Sequence, residues 1–150
     1  MAQKEKHTDL IFAPHSLRRR LSPDGVVEVF ASPRRGWLLL TPEEEVRRRV
    51  VSHLTGRLGI PATHITEEYP VMLNGQSQRA DIVAVDGNLR PFLVVECKAP
   101  EVPLTDGVVE QVVRYNSVIR APQILVTNGR SLRAYRLTSE GTYVPCDFPL

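Results

Sequence analysis

ADIVAVDGNLRPFLVVECKAP, residues 80–100, holds two apolar runs with charges set at their ends: Asp81 opens the first, and Glu96 and Lys98 close the second. Ile82, Val83 and Val85 in one run, and Phe92, Leu93, Val94 and Val95 in the other, are residues of buried strands. Pro91 has no N–H to give a ladder, so the second strand starts after it and DGNLRP becomes a six-residue connection. In that register Val85 faces Phe92, and counting back brings Asp81 opposite Glu96 with side-chain carbons about 5 Å apart. Both carboxylates then project from one face. Lys98 shares that face, whereas Leu93, Val95 and Cys97 point to the other. Two like charges opposed in a sheet destabilise it, more so when buried. A divalent cation between them reverses the sign, and hard oxygen ligands are what Mg²⁺ takes. The same residues also occur as a solvated face with an ordinary salt bridge, so the pattern needs support from the rest of the chain.

The surrounding elements read as α/β. GVVEVF (25–30) and GWLLL (36–40) form two short strands about the turn-like SPRR. In TPEEEVRRRVVSHLTGRLGI (41–60), Thr41 is the N-cap, Pro42 takes the first helical position, and Val46, Val50, Val51, Leu54 and Leu58 recur at helical spacing until Gly59 and Pro61 stop the helix. A strand over 67–73 breaks at Asn74-Gly75. VPLTDGVVEQVVRYNSVIR (102–120) is a second helix with Val108, Val112, Tyr115 and Ile119 on one stripe. QILVT (123–127) is a compact apolar strand, Asn128-Gly129 a turn, and LRAYRL (132–137) a half-exposed strand. Measured against Val46, Val50 and Leu54, Glu43 falls on the inward arc of its helix, and Glu44, three residues after Thr41, fits the reciprocal place of a capping box. A shift of one residue at the helix start exchanges the two. Gln111 and Tyr115, four apart, share a face at the margin of the second helix's stripe.

Composition narrows the function classes. A chain of 150 residues, 42% hydrophobic and 24% charged, fits one globular domain and has no room for a motor. No apolar run reaches the length of a membrane span and residues 1–20 have no signal-peptide core, so a cytoplasmic protein with no membrane partner is expected. Cys97 and Cys146 lack CxxC spacing, and His7, His15, His53 and His64 form no ligand pattern, which argues against zinc and against a disulfide framework. The net charge of +2 is uneven: residues 1–40 hold seven Lys/Arg against four acids. A basic front end meets a polyanion or is a solvated arm, and charge alone does not choose. The organisation expected is a basic, flexible arm over 1–24 and a single domain over 25–150.

An acid on the first helix, Asp81, and Glu96-Cys97-Lys98 at the end of the next strand resemble the PD-(D/E)xK nuclease superfamily, and Gln111 with Tyr115 is similar to the Q-xxx-Y element of its RecB-like branch. More narrowly, LTPEEEVRRRVVSHL, RADIVAVD with Arg79, VECKAPEVPLT, RYN and LVTNGR resemble the N-terminal nuclease domain of type I restriction enzyme motor subunits, in its free-standing version. Ala80-Asp81 replaces the proline-aspartate pair without touching the ligand. The resemblance implies a restriction-endonuclease-like α/β core, a central mixed sheet flanked by helices, acting as a Mg²⁺-dependent hydrolase of nucleic acid, in the first instance DNA, with Mn²⁺ as substitute. Asp81, Glu96 and the Cys97 carbonyl would hold the ion, with Glu43 or Glu44 as a further ligand. Lys98 would position the attacking water, Gln111 and Tyr115 would orient the lysine or the phosphate, and Arg34, Arg35 and Arg79 would meet the backbone. The other class left open is a nucleic-acid-binding or assembly module with this fold and little activity alone, acting with a second copy or another protein.

Overall fold

In the computed structural model, which describes residues 10–13, 17–32 and 34–150, the chain runs β1 (Arg19–Leu21), β2 (Val27–Ser32), β3 (Gly36–Leu39), α1 (Pro42–Ser52), β4 (Ile65–Leu73), β5 (Gln76–Val85), β6 (Pro91–Cys97), α2 (Asp106–Ile119), β7 (Gln123–Thr127), β8 (Leu132–Leu137) and β9 (Tyr143–Pro145). β4 to β9 form one six-stranded sheet in sequence order. β1 to β3 form a separate antiparallel sheet. Only β6 and β7 are parallel, because α2 carries the chain back between them; every other neighbour in the large sheet is antiparallel. The mixed sheet flanked by helices is the architecture expected.

Alternation along the strands splits the core into two layers. Ile82, Ala84, Leu93, Val95 and Cys97 pack with Val46, Val50 and Leu54 of the α1 side. Val83, Val94, Ile124 and Val126 pack with Val112, Tyr115 and Ile119 of α2. Each fully buried Val or Leu side chain contributes about 1.5–3 kcal/mol relative to exposure. Helix α1 starts as its sequence requires: Thr41 is extended, its hydroxyl accepts from the Glu44 N–H at 3.1 Å, and Pro42 follows. It runs on into a π-helical turn, His53–Arg57, and Leu58 and Ile60 still pack against the core beyond it. Asn74 and Gly75 both have positive φ and close the β4–β5 hairpin with a two-residue loop.

The expected arm over 1–24 has more structure than its charge suggested. Residues 1–9 and 14–16 lie outside the described residues. Of the remainder, Phe12 is buried against α1, the Ile11 N–H donates to the Gly129 carbonyl at 2.6 Å, and β1 pairs with β2. Gly129 has φ +83, the left-handed region that favours glycine, and a Cβ there would also have to displace Leu10 Cδ2 at 2.9 Å and Val46 Cγ2 at 3.0 Å. Arg48 donates to the Ala31 carbonyl at 3.1 Å and Arg49 to the Phe12 carbonyl at 3.2 Å, tying both N-terminal segments to α1. Cys97 and Cys146 are free thiols.

Candidate active site

Ile82 faces Val95, Val83 faces Val94 and Ala84 faces Leu93, so the next step of the ladder brings Asp81 beside Glu96 as the sequence register required. One detail differs. Val85 faces Pro91 rather than Phe92, because an irregularity between Ala84 and Val85 takes up one residue, and Pro91 itself begins β6. Asp81 is 8% exposed and Glu96 5%. Asp81 Oδ2 accepts from the Cys97 N–H at 2.8 Å, which pins the aspartate to the neighbouring strand. Glu96 Oε1 lies 3.9 Å from Lys98 Nζ, and its buried Oε2 accepts no hydrogen bond from the described residues. Burial, and next the negative charge of Asp81, push the Glu96 carboxyl up to about 8. Burial likewise raises Asp81, against the pull of Arg47 and the Cys97 N–H. Without a counter-ion, then, one of the two carboxyls holds its proton near neutral pH.

Two residues that the sequence did not single out complete the cluster. Arg47, 7% exposed, donates from Nη1 to Glu68 Oε1 at 2.7 Å and from Nη2 to Asp81 Oδ1 at 3.3 Å, and its Nη1 lies 3.4 Å from Glu44 Oε2. Glu68 sits in β4 opposite Asp81, with φ +54. The pairing is the same on either side of it, Glu67 with Ile82 and Tyr69 with Ala80, yet the strands change faces there. Ile65 and Ile82 pack on the α1 side, while Tyr69, Val71 and Ala80 pack on the α2 side. Residues two or four apart on a regular strand would share a face. The left-handed residue turns the hairpin over at the Glu68/Asp81 row, which lets Asp81 reach both the Cys97 backbone and a helix on the α1 side.

Of the two acids at the start of α1, expected as an inward Glu43 and a capping Glu44, Glu43 is half-buried and Glu44 is buried. Glu43 lies among Asp81, Arg47 and Lys98: its carboxyl is raised by burial and then by the Asp81 charge, and lowered by the two cations. Glu44 does not close a capping box, since the Thr41 N–H donates to the Leu39 carbonyl instead. Its carboxylate is buried, bound to Arg48 Nε at 2.9 Å and near Arg47. Glu44→Gln should therefore lower stability by about 2–4 kcal/mol, because it strips one partner from a buried ionic network rather than a cap. Urea unfolding measures this. A loss under ~1 kcal/mol would return Glu44 to a capping role.

Gln111 and Tyr115 share a face of α2, where Gln111 Nε2 donates to Tyr115 Oη at 2.8 Å; among the described residues no hydrogen bond joins either to Asp81, Glu96 or Lys98. Alternation within β6 puts Glu96 on the face of Val94, which α2 covers. Arg34, Arg35 and Arg79 line one cavity of about 650 Å³ together with Glu67 and Glu68. Arg35 is held by Glu67 at 2.8 Å, whereas Arg79 reaches Glu68 only at 3.8 Å and stays largely exposed. The cavity thus opens beside the acid row. Among the described residues no group of three or more His, Cys, Asp or Glu is close enough to hold a metal by side chains alone.

The model of the type I restriction enzyme R protein N terminus matches residues 42–147. This chain belongs to that family. No curated protein matches it. The segment assigned to the R protein N terminus contains α1, the whole six-stranded sheet and every acid of the cluster, while the small sheet precedes it. Among its described residues, no helix is long and apolar enough to cross a membrane.

Proposed function

We propose that this R-protein N-terminal domain is a Mg²⁺-dependent nuclease that hydrolyses phosphodiester bonds of DNA in the cytoplasm, using the PD-(D/E)xK set of Asp81, Glu96 and Lys98. The observation that carries the reading is the buried pair of carboxyls on adjacent strands, with a Glu96 Oε2 that accepts no hydrogen bond from the described residues and a lysine 3.9 Å away. Two carboxylates and a main-chain carbonyl, that of Cys97, suit Mg²⁺, which keeps several waters; they do not suit zinc, which asks for four protein ligands of softer type in a structural site. When bound, the ion polarises the phosphate and acidifies a coordinated water. Asp81, fixed by the Cys97 N–H, and Glu96 hold it, and Mn²⁺ substitutes. Lys98 positions the attacking water and balances charge on the phosphate. Glu43, among the same charges, holds an ordered water or a second ion. Gln111 and Tyr115 orient the lysine or the phosphate from α2, and Arg34, Arg35 and Arg79 meet the DNA backbone without reading bases.

Calorimetry with Mn²⁺ on the wild type and on Asp81→Ala tests the site. Binding by the wild type and none by the variant is expected, and a hundredfold excess over Kd should raise stability by about 2.7 kcal/mol, roughly 5–10 °C in Tm for a chain of this size. Equal binding by both proteins would remove the site. One observation favours the second reading, a DNA-binding or assembly module that does little chemistry alone: the Arg47 guanidinium stands 3.3 Å from Asp81 Oδ1 and offsets its charge. Saturable DNA binding without Mn²⁺ binding would establish it.

A further inference from the structure

We propose that Arg47 is an internal counter-cation that holds the place of the divalent ion on Asp81, and that Glu68 sets metal affinity by drawing Arg47 away. The inference rests on the metal reading of Asp81 and Glu96. One buried guanidinium faces three carboxylates, and its contacts are unequal: 2.7 Å to Glu68, 3.4 Å to Glu44 and 3.3 Å to Asp81. Asp81 Oδ2 is taken by the Cys97 N–H, and the hydrogen bond at Oδ1 comes from Arg47. A guanidinium and a divalent ion on the same carboxylate repel one another, so the ion enters as Arg47 lets go. Release is cheap because of where the other acids stand. Arg47 keeps Glu68 and Glu44 after leaving Asp81, and no unpaired charge is left in the interior.

The backbone supports the assignment to Glu68. Asn74, Leu89 and Arg120, the other non-glycine residues with positive φ among those described, lie in turns or at a helix cap; Glu68 alone has it inside a strand. Such strain persists where the surroundings over-determine it. Here it turns the hairpin at the row that contains Asp81, with the Glu68 carboxylate on Arg47.

The experiment is Mn²⁺ calorimetry on the full chain, wild type against Glu68→Gln, Arg47→Met and the double variant, with thermal melts to confirm folding. Glu68→Gln keeps the shape but loses the competing charge, so Arg47 stays on Asp81 and Mn²⁺ affinity should fall about tenfold; Arg47→Met should raise it by a similar factor. In the double variant Glu68→Gln should have no further effect. If it weakens Mn²⁺ binding equally with and without Arg47, Glu68 acts only as nearby negative charge and the proposal fails. Should Arg47→Met not fold, Arg47→Lys serves in its place, because an ammonium cannot bridge two carboxylates as the guanidinium fork does, and the effect of Glu68→Gln should shrink. A wild type that binds Mn²⁺ with an unaltered Glu68→Gln overturns this inference alone. A folded wild type that binds none overturns the metal reading and this inference with it.

Discussion

Lys98→Ala should reduce DNA cleavage by about 10²–10⁴-fold, the range of a positioned proton-transfer or charge-balancing group, while the fold and most of the Mn²⁺ affinity survive. The backbone at Lys98 is held independently of its side chain, since its N–H donates to the Thr127 carbonyl at 2.9 Å. Truncation therefore removes an ammonium without moving β6. The side chain is partly exposed, and among the described residues its one ion pair within 4 Å is with Glu96 Oε1 at 3.9 Å, while it acts on Asp81 and Glu43 only through its charge. Cleavage of single- and double-stranded DNA at several protein concentrations, beside calorimetry of the same variant, separates chemistry from binding. Full activity in Lys98→Ala would take the lysine out of the mechanism and point to a contaminating nuclease.

The metal-free protein should lose stability as pH rises, and Glu96→Gln should largely abolish that loss. In the folded chain, burial and the Asp81 charge hold the Glu96 carboxyl at about 8, against an ordinary value of 4.5. The folded state therefore binds a proton that the unfolded state has released between those values, and stability falls with pH wherever the native state binds more protons. The contribution is full below about 4.5 and is gone once pH has risen through about 8. Asp81 and Glu43, also raised, act in the same direction, while Arg47 and Lys98 oppose it. A loss on the order of a few kcal/mol between pH 5 and 8.5 is expected, read as a drop of roughly 5–12 °C in Tm. Saturating Mg²⁺ should invert the trend, because the ion binds the deprotonated pair. A metal-free melting temperature that is flat, or that rises over this range, would mean that the two carboxyls are not buried against each other.

The central register was legible because three strong local signals agree: a hairpin turn at Asn74-Gly75, a proline that marks where the next strand begins, and apolar runs whose length fits one crossing of a sheet. The bulge after Ala84 has no such signal, and it displaced only Val85. Arg47 was invisible for a different reason. In EEEVRRRVV three arginines read as the solvated face of a helix, since a charged triplet ordinarily is one. All three are buried here, each against acids or carbonyls contributed by other parts of the chain. Glu68 lacked any marker, because glutamate carries no preference for positive φ and its strand otherwise alternates acceptably. β1 was lost among charges and prolines: a three-residue RRL pairs through its backbone, and its side chains say nothing about it.

Three successive residues on a helix point in directions about 100° apart and together sweep more than half of its circumference. Arg47, Arg48 and Arg49 use that sweep as a three-way clamp: Arg47 grips side chains of the six-stranded sheet, whereas the grips of Arg48 and Arg49 on the N-terminal segments end on the main-chain oxygens of Ala31 and Phe12. A main-chain oxygen is present whatever residue bears it. These two grips therefore constrain the path of the N-terminal segments but not which side chain stands at Ala31, whereas the Arg35–Glu67 pair, which joins the same small sheet to the core, depends on both of its side chains.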